Sequence, residues 1–334
     1  MISSWRVRIA LLGTVMALLL ITVTLWPAAP QTGCDADTLT QEIRQGPLRQ
    51  MLTQARFVTY QPTGLQVRWG SVTQADRASI RQDLWHLRPW FDGLVTYTAI
   101  NGGELIPEIA QSLGYRAVIV GIWDPADRQE VANALDLART YPGFVVGIIV
   151  GNETVFGQRG DWQDLAEAIA RIRRSANAIA LSTSEPFAVL VDGEGAAFAR
   201  QLDFLAPNVH PVFEPWFAGA PAFNRAEFVV RVVDKLKGVT CGPILVKETG
   251  VPTAPADLGF DEAQQTAFYR ELEKQFPPSA DAAFSYFSAF DAPWRLEDVH
   301  PVPGDHRHEA HWGLFTHERK AKPVMRDLQT RETP

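Results

Sequence analysis

Phe144-Val-Val-Gly-Ile-Ile-Val-Gly-Asn152-Glu153 is an uncharged, Val/Ile-rich run that stops on an amide and a carboxylate. Ile244-Leu-Val-Lys-Glu248-Thr-Gly250 ends in a similar way, its glutamate 95 residues further on. Short runs that are apolar throughout, rather than alternating, read as strands buried on both faces of a parallel sheet. Working outward from these two, the same rhythm spans most of the chain. Further candidate strands are Arg56–Gln61, Gly93–Thr98, Ala117–Trp123, Ala178–Thr183, Phe204–His210 and Ala283–Phe290. Between them lie stretches with apolar residues at three- and four-residue spacing, Arg128–Tyr141, Trp162–Ser175, Ala222–Leu236 and Asp261–Phe276. Thr73–Trp85 opens with Thr-x-x-Asp and predicts a helix that starts on a capping box. Eight strands, each followed by a helical or loop crossover, predict an α/β fold, a (β/α)8 TIM barrel. The competing architecture is an open doubly wound sheet, but no Gly-x-Gly-x-x-Gly follows the first strand.

Composition narrows the function classes. The chain has 334 residues, 46% of them hydrophobic and 21% charged, which excludes disorder, collagen and a coiled coil. A net charge of −7 argues against nonspecific nucleic-acid binding. Two cysteines exclude a disulfide-rich scaffold and a cysteine-type zinc site. Five of the seven histidines fall between His300 and His317, but His306-x-His308-x-x-His311 matches no standard zinc spacing. That stretch reads as a loop on the rim of the cleft after strand eight, and neither metal nor cofactor is expected.

One segment departs from the average. Ile9–Trp26 is nearly all apolar, follows Arg6 and Arg8, and is long enough to approach the ~30 Å hydrocarbon core of a bilayer. It reads as an uncleaved anchor in the inner membrane or as a cleaved signal peptide. Cleavage after Ala28 or Ala29 puts Trp26 or Pro27 at the −3 position, where a small residue is required. The expected organisation is an anchor or signal over 1–30, a linker over 31–54 and the barrel over 55–330. Either reading places the barrel outside the cytoplasm, in the periplasm if anchored and secreted if cleaved. Cys34 and Cys241 are then either paired or both free thiols. Twenty-five arginines against six lysines suggest a GC-rich, bacterial genome. A monomer is expected.

In such barrels the chemistry gathers at the C-terminal ends of the strands. Glu153 ends the fourth strand and Glu248 the seventh, on opposite sides of one mouth. A facing carboxylate pair serves glycosidic-bond cleavage, with one group as acid/base and the other as nucleophile or as base for water. A glutamate ending a strand also caps helices or pairs with arginine, and sequence alone leaves that alternative open.

An ordered set of motifs resembles glycoside hydrolase family 17, the β-1,3-glucanases and glucanosyltransferases of the retaining (β/α)8 clan. Asn152-Glu153 resembles the Asn-Glu of that clan, and Glu248-Thr-Gly-Val-Pro-Thr253 resembles the Glu-Ser/Thr-Gly-Trp-Pro-Ser nucleophile motif. Val95-Thr-Tyr97, Asn208-Val-His-Pro-Val-Phe213 and Glu309-Ala-His-Trp-Gly-Leu-Phe315 resemble the second-strand, sixth-strand and closing segments. The likeness covers residues 55–323. It implies Glu153 as acid/base, Glu248 as nucleophile, and β-1,3-glucan polysaccharide or oligosaccharide as substrate, cleaved or transferred with retention. Lys247, Val251, Ala292 and Arg295 depart from the pattern and put linkage preference in question. Lys247, Val251 and Ala292 also motivate the alternative of a catalytically silent glucan-binding barrel in polysaccharide assembly.

The supporting residues are read from their places at or near the strand ends. Asn152 is expected to bond the sugar hydroxyl beside the anomeric carbon, and Tyr97 to hold the nucleophile ionised. His210, Phe213 and Glu185 are candidate sugar contacts at strand ends. Trp294 and Trp312 are candidate stacking platforms, ahead of Trp216 and Trp123.

Overall fold

A computed structural model describes residues 38–68, 71–297 and 303–330. The expected anchor over 9–26 lies outside the described residues, as does Cys34. Among the described residues no helix is long and apolar enough to cross a membrane. Cys241, just before the strand that carries Glu248, is disulfide-bonded.

The ring is built from parallel strands. β1 (Phe57–Thr59) is followed by a small antiparallel hairpin, β2 (Gln66–Arg68) and β3 (Ser71–Thr73). The ring continues with β4 (Gly93–Val95), β5 (Ala117–Ile122), β6 (Val145–Asn152), β7 (Ala180–Ser184), β8 (Ile244–Thr249) and β9 (Ala282–Tyr286). Their order is β7-β6-β5-β4-β1-β9-β8, every neighbouring pair parallel. The run expected as a strand over Phe204–His210 fills the gap between β7 and β8 by isolated bonds. Asp203 N–H donates to Leu181 O, Leu245 N–H to Leu205 O, and Val209 N–H to Glu248 O. Pro207 has no N–H to contribute, so no regular ladder forms there.

Period-two alternation divides the strand residues. Phe57, Val95, Ile119, Ile149, Ala180, Phe204 and Leu245 fill the barrel interior. Their neighbours Val58, Leu94, Val118, Val120, Ile148, Val150 and Val246 face outward into the larger core beneath the helices. Large and small residues interlock inside the ring. Gly93 lies beside Phe57, and a Cβ on it would stand 2.6 Å from the Phe57 ring.

The helices follow the sequence pattern closely, with α4 (Arg128–Thr140), α5 (Trp162–Ser175), α8 (Ala222–Leu236) and α9 (Glu262–Gln275) on the outer face. The intervening helices are α2 (Arg77–Leu87), α3 (Ile106–Ser112), the short α6 (Phe187–Leu190) and α7 (Gly193–Ala199), and α10 (Val324–Asp327) closes the chain.

Two expectations change. The capping box at Thr73 does not form, because Thr73 ends the hairpin. α2 begins after Asp76, whose side chain accepts from Ser79 N–H at 2.8 Å. The stretch read as linker contains α1 (Thr38–Gln54). Leu48 and Leu52 of α1 are fully buried with the barrel-interior residues. Gln45 Nε2 donates to Asp203 O at 2.7 Å, and Arg49 pairs with Asp281. Both partners stand where strands begin, so α1 closes the N-terminal mouth of the barrel. Pro47 inside α1 and its few apolar residues hide the helix from periodicity.

Candidate active site

Both carboxylates reach the open mouth through breaks in strand regularity. In β6 the pairing with β7 shifts between Ile149 and Asn152, and Gly151 and Glu153 both adopt positive φ, 80° and 51°. A Cβ on Gly151 would lie 2.5 Å from Thr154 Oγ1, so the turn requires glycine. Glu153 in the left-handed region is held by its N–H bond to Ser184 O at 2.7 Å, and strain of this kind collects at functional sites. In β8 the pairing with β9 shifts between Val246 and Thr249. Such a bulge re-aims side chains. Lys247 and Glu248, adjacent in sequence, both turn into the mouth, where Lys247 Nζ meets Glu248 Oε1 at 3.0 Å.

Glu248 is 6% exposed and surrounded by donors. Tyr97 Oη donates to Oε1 at 2.9 Å, and His210 Nε2 lies 3.4 Å from Oε2. Burial alone would raise its pKa, but the Lys247 ammonium and His210 outweigh it and hold the carboxyl well below the usual carboxylate range. Burial drives Tyr97 far above its ordinary value, aided by Glu248, so it stays a protonated donor.

Glu153 has the opposite environment. Burial raises it, and the Glu248 charge raises it further. One bond opposes this: Asn208 Nδ2 donates to Glu153 Oε1 at 2.8 Å, with Asn208 Oδ1 fixed by Ser184 Oγ at 2.9 Å. Two carboxyl groups whose surroundings push them apart are the pattern of an acid paired with an ionised partner.

Asn152 stands beside them with its Oδ1 bonded by Lys247 Nζ. The cleft beyond Tyr97 is lined by Phe287, Trp294, Arg295, Glu309 and Trp312. Trp294 is half-buried there and Phe213 is 55% exposed on the rim, both open to a ring. Trp312 also lines the cleft but is only 2% exposed. Its indole packs against His210 and Phe287, with ring centroids 5.0 and 5.1 Å away, so it is a wall rather than an open stacking face.

Glu185 corrects an expectation. It is fully buried, and its two oxygens accept Val155 N–H at 2.9 Å and Phe156 N–H at 3.1 Å. It braces the loop after Glu153 instead of facing sugar. In the histidine-rich loop, Glu309 pairs with Arg295 at 3.1 Å and His308 at 3.3 Å. Burial opposes its ionisation, but His308 and Arg295 bring it down to about 2. Among the described residues no group of three or more His, Cys, Asp or Glu is arranged to hold a metal. Sequence reasoning missed Asn208 as a partner of Glu153, Ser184 behind it, and the Arg295–Glu309 pair. The Asn-x-His motif was the available signal for the first.

Comparison with known proteins follows the same lines. A glucan 1,3-beta-glucosidase of Arthroderma benhamiae is 27% identical over 263 residues, covering 74% of this chain and 84% of that protein. A probable beta-glucosidase btgE of Emericella nidulans is 28% identical over 176 residues, covering 50% of this chain and 30% of that one. Among solved structures, the glycoside hydrolase family 17 beta-1,3-glucanosyltransferase of Rhizomucor miehei superposes with a TM-score of 0.61 at 23% identity. The match covers 81% of this chain and 97% of that one, and shows the shared fold. Residues 58–313 match the model of the BtgE/BtgC glycoside hydrolase domain, and the chain belongs to that family.

Proposed function

We propose that this protein cleaves or transfers β-1,3-linked glucan with retention, using Glu153 as acid/base and Glu248 as nucleophile. The observation that carries the assignment is the split environment of the two carboxyl groups: Glu153 raised, Glu248 held ionised. The substrate class rests on the relative named as a glucan 1,3-beta-glucosidase and on the motif set. A structure of the Rhizomucor miehei enzyme, of the same fold, is in complex with laminaritriose.

Protonated Glu153 gives its proton to the leaving oxygen. Glu248 attacks the anomeric carbon; Oε1 is engaged by Tyr97 and Lys247, and Oε2, which has only the longer 3.4 Å contact with His210 Nε2, forms the bond. Glu153, now ionised, takes a proton from water or a sugar hydroxyl as that oxygen bonds to the anomeric carbon and the bond to Glu248 breaks, its electron pair returning to the carboxylate. In this reading Asn152 bonds the hydroxyl beside the reacting carbon, and Trp294 in the cleft and the exposed Phe213 supply apolar faces to sugar rings.

The protein is further proposed to be bacterial, with residues 9–26 as its inner-membrane anchor and the barrel in the periplasm. The disulfide at Cys241 supports an oxidising compartment. The test is product analysis on linear laminari-oligosaccharides with the wild type and Glu248→Ala. β-Configured products that vanish in the variant support the reading, and a loss of less than tenfold overturns it.

A further inference from the structure

Lys247 is the least expected residue in the site. It is 1% exposed, and a buried ammonium is costly unless it is paired and hydrogen-bonded. Here its surroundings supply three partners: Glu248 Oε1 at 3.0 Å, Asn152 Oδ1, and the face of the Tyr97 ring with its centroid 4.3 Å away. The contact with Glu248 is a charge pair that exists only while Glu248 is a carboxylate.

We propose that Lys247 is a positioning residue that favours the carboxylate form of Glu248 over its glycosyl ester and so shortens the life of the covalent intermediate, while turning the Asn152 amide nitrogen toward the sugar. The inference rests on the reading of Glu248 as nucleophile. Esterification removes the negative charge in direct contact with Lys247. The charge that appears on Glu153 in exchange attracts the ammonium only through space, without a hydrogen bond among the described residues, and so replaces only part of the 3.0 Å contact with Glu248. The intermediate therefore faces a buried cation whose nearest partner is neutral, a state that favours its breakdown. In that step the bond between the anomeric carbon and the Glu248 oxygen breaks, and its electron pair returns to the carboxylate. The acceptor oxygen bonds to the anomeric carbon and its proton passes to Glu153.

The Asn152 contact acts in parallel. With Oδ1 occupied by Lys247, the amide presents its N–H donors to the cleft, the polarity needed to bond a sugar hydroxyl oxygen. The other groups facing Lys247 and Glu248 are Tyr97 from the end of β4, His210 beyond the bridging segment, Arg295 after β9 and Glu153 after β6.

The experiment uses a dinitrophenyl β-glycoside of laminaribiose, rapid mixing, and quenched-flow mass spectrometry of the intact protein. Wild type, Lys247→Met and Lys247→Arg are compared. Lys247→Met is expected to show a larger dinitrophenolate burst, a lower KM, and release of the Glu248 adduct slowed by about tenfold or more, equivalent to ~1.4 kcal/mol. Lys247→Arg, which keeps the charge, is expected to recover part of the release rate. Release at the wild-type rate in Lys247→Met, or slowing confined to adduct formation, overturns the inference.

If Lys247→Met does not melt cooperatively, the wild type is labelled with a 2-deoxy-2-fluoro-β-glucosyl fluoride and its reactivation followed against pH. A bell that rises as Glu153 ionises and falls as Lys247 loses its proton is expected; a plateau with no falling limb overturns the inference. Absence of any adduct on Glu248 in the wild type overturns the nucleophile assignment itself, so the two failures are distinguishable.

Discussion

Asn208→Ala isolates the one bond that opposes the raised pKa of Glu153. In the free enzyme, Asn208 Nδ2 donates to Glu153 Oε1 at 2.8 Å and favours the charged form. A hydrogen bond to a charged group contributes roughly 1.5–3 kcal/mol. Water entering beside the half-buried Glu153 recovers part of that, leaving ~1.4 kcal/mol, which corresponds to about one pH unit. Removing the bond raises the Glu153 pKa, and Glu153 acts in its protonated form. The alkaline limb of kcat/KM, which reports the free enzyme, is therefore expected to move up by about one unit. The acid limb, governed by Glu248, is expected to stay in place. Ser184→Ala removes only the residue that orients Asn208, at 2.9 Å, and is expected to shift the same limb in the same direction by less. The assay is kcat/KM on laminaritetraose from pH 9 down into the acid range where Glu248 takes up its proton, with melting curves for each variant. A limb that stays or moves down in Asn208→Ala refutes the reasoning, as does a matching shift of the acid limb.

Tyr97→Phe removes a donor from Glu248 Oε1, so the Glu248 pKa rises and the acid limb of kcat/KM is expected to move upward, read from the same profiles. Glu185→Ala strips the acceptor from two backbone N–H groups in the loop after Glu153, at ~1–3 kcal/mol for an unsatisfied group; a lower Tm together with a lower kcat is expected, measured by calorimetry and steady-state kinetics. Leu52→Ala opens a void where α1 closes the barrel and is expected to cost about 2–5 kcal/mol in chemical denaturation. Gly93→Ala forces a Cβ to 2.6 Å from the Phe57 ring and is expected to cost roughly 1–3 kcal/mol by the same measurement.

What was legible in the chain is what local chemistry encodes. Val- and Ile-rich runs, helical spacing and the carboxylates at two strand ends are short-range patterns, and they placed the barrel, its outer helices and Glu153 and Glu248. α1 escaped because Pro47 and sparse apolar residues blur its period, and its burial depends on a barrel end assembled from distant strands. Glu185 and Glu153 are the same residue type at neighbouring strand ends. Only the fold shows that one is turned onto backbone N–H groups and the other into the mouth.

Lys247 marks the boundary between the two levels most sharply. The residue names Lys247 and Glu248 are given by the chain, and strict alternation would send the two side chains to opposite faces of β8. The shift in pairing between Val246 and Thr249 breaks that alternation and brings both side chains to one mouth. By itself the sequence determined the barrel class and the carboxylate pair, because period and residue type are local properties. The charge environment of that pair was decided by tertiary structure, because it depends on strand register and on partners as distant in the chain as Tyr97 and Asn208.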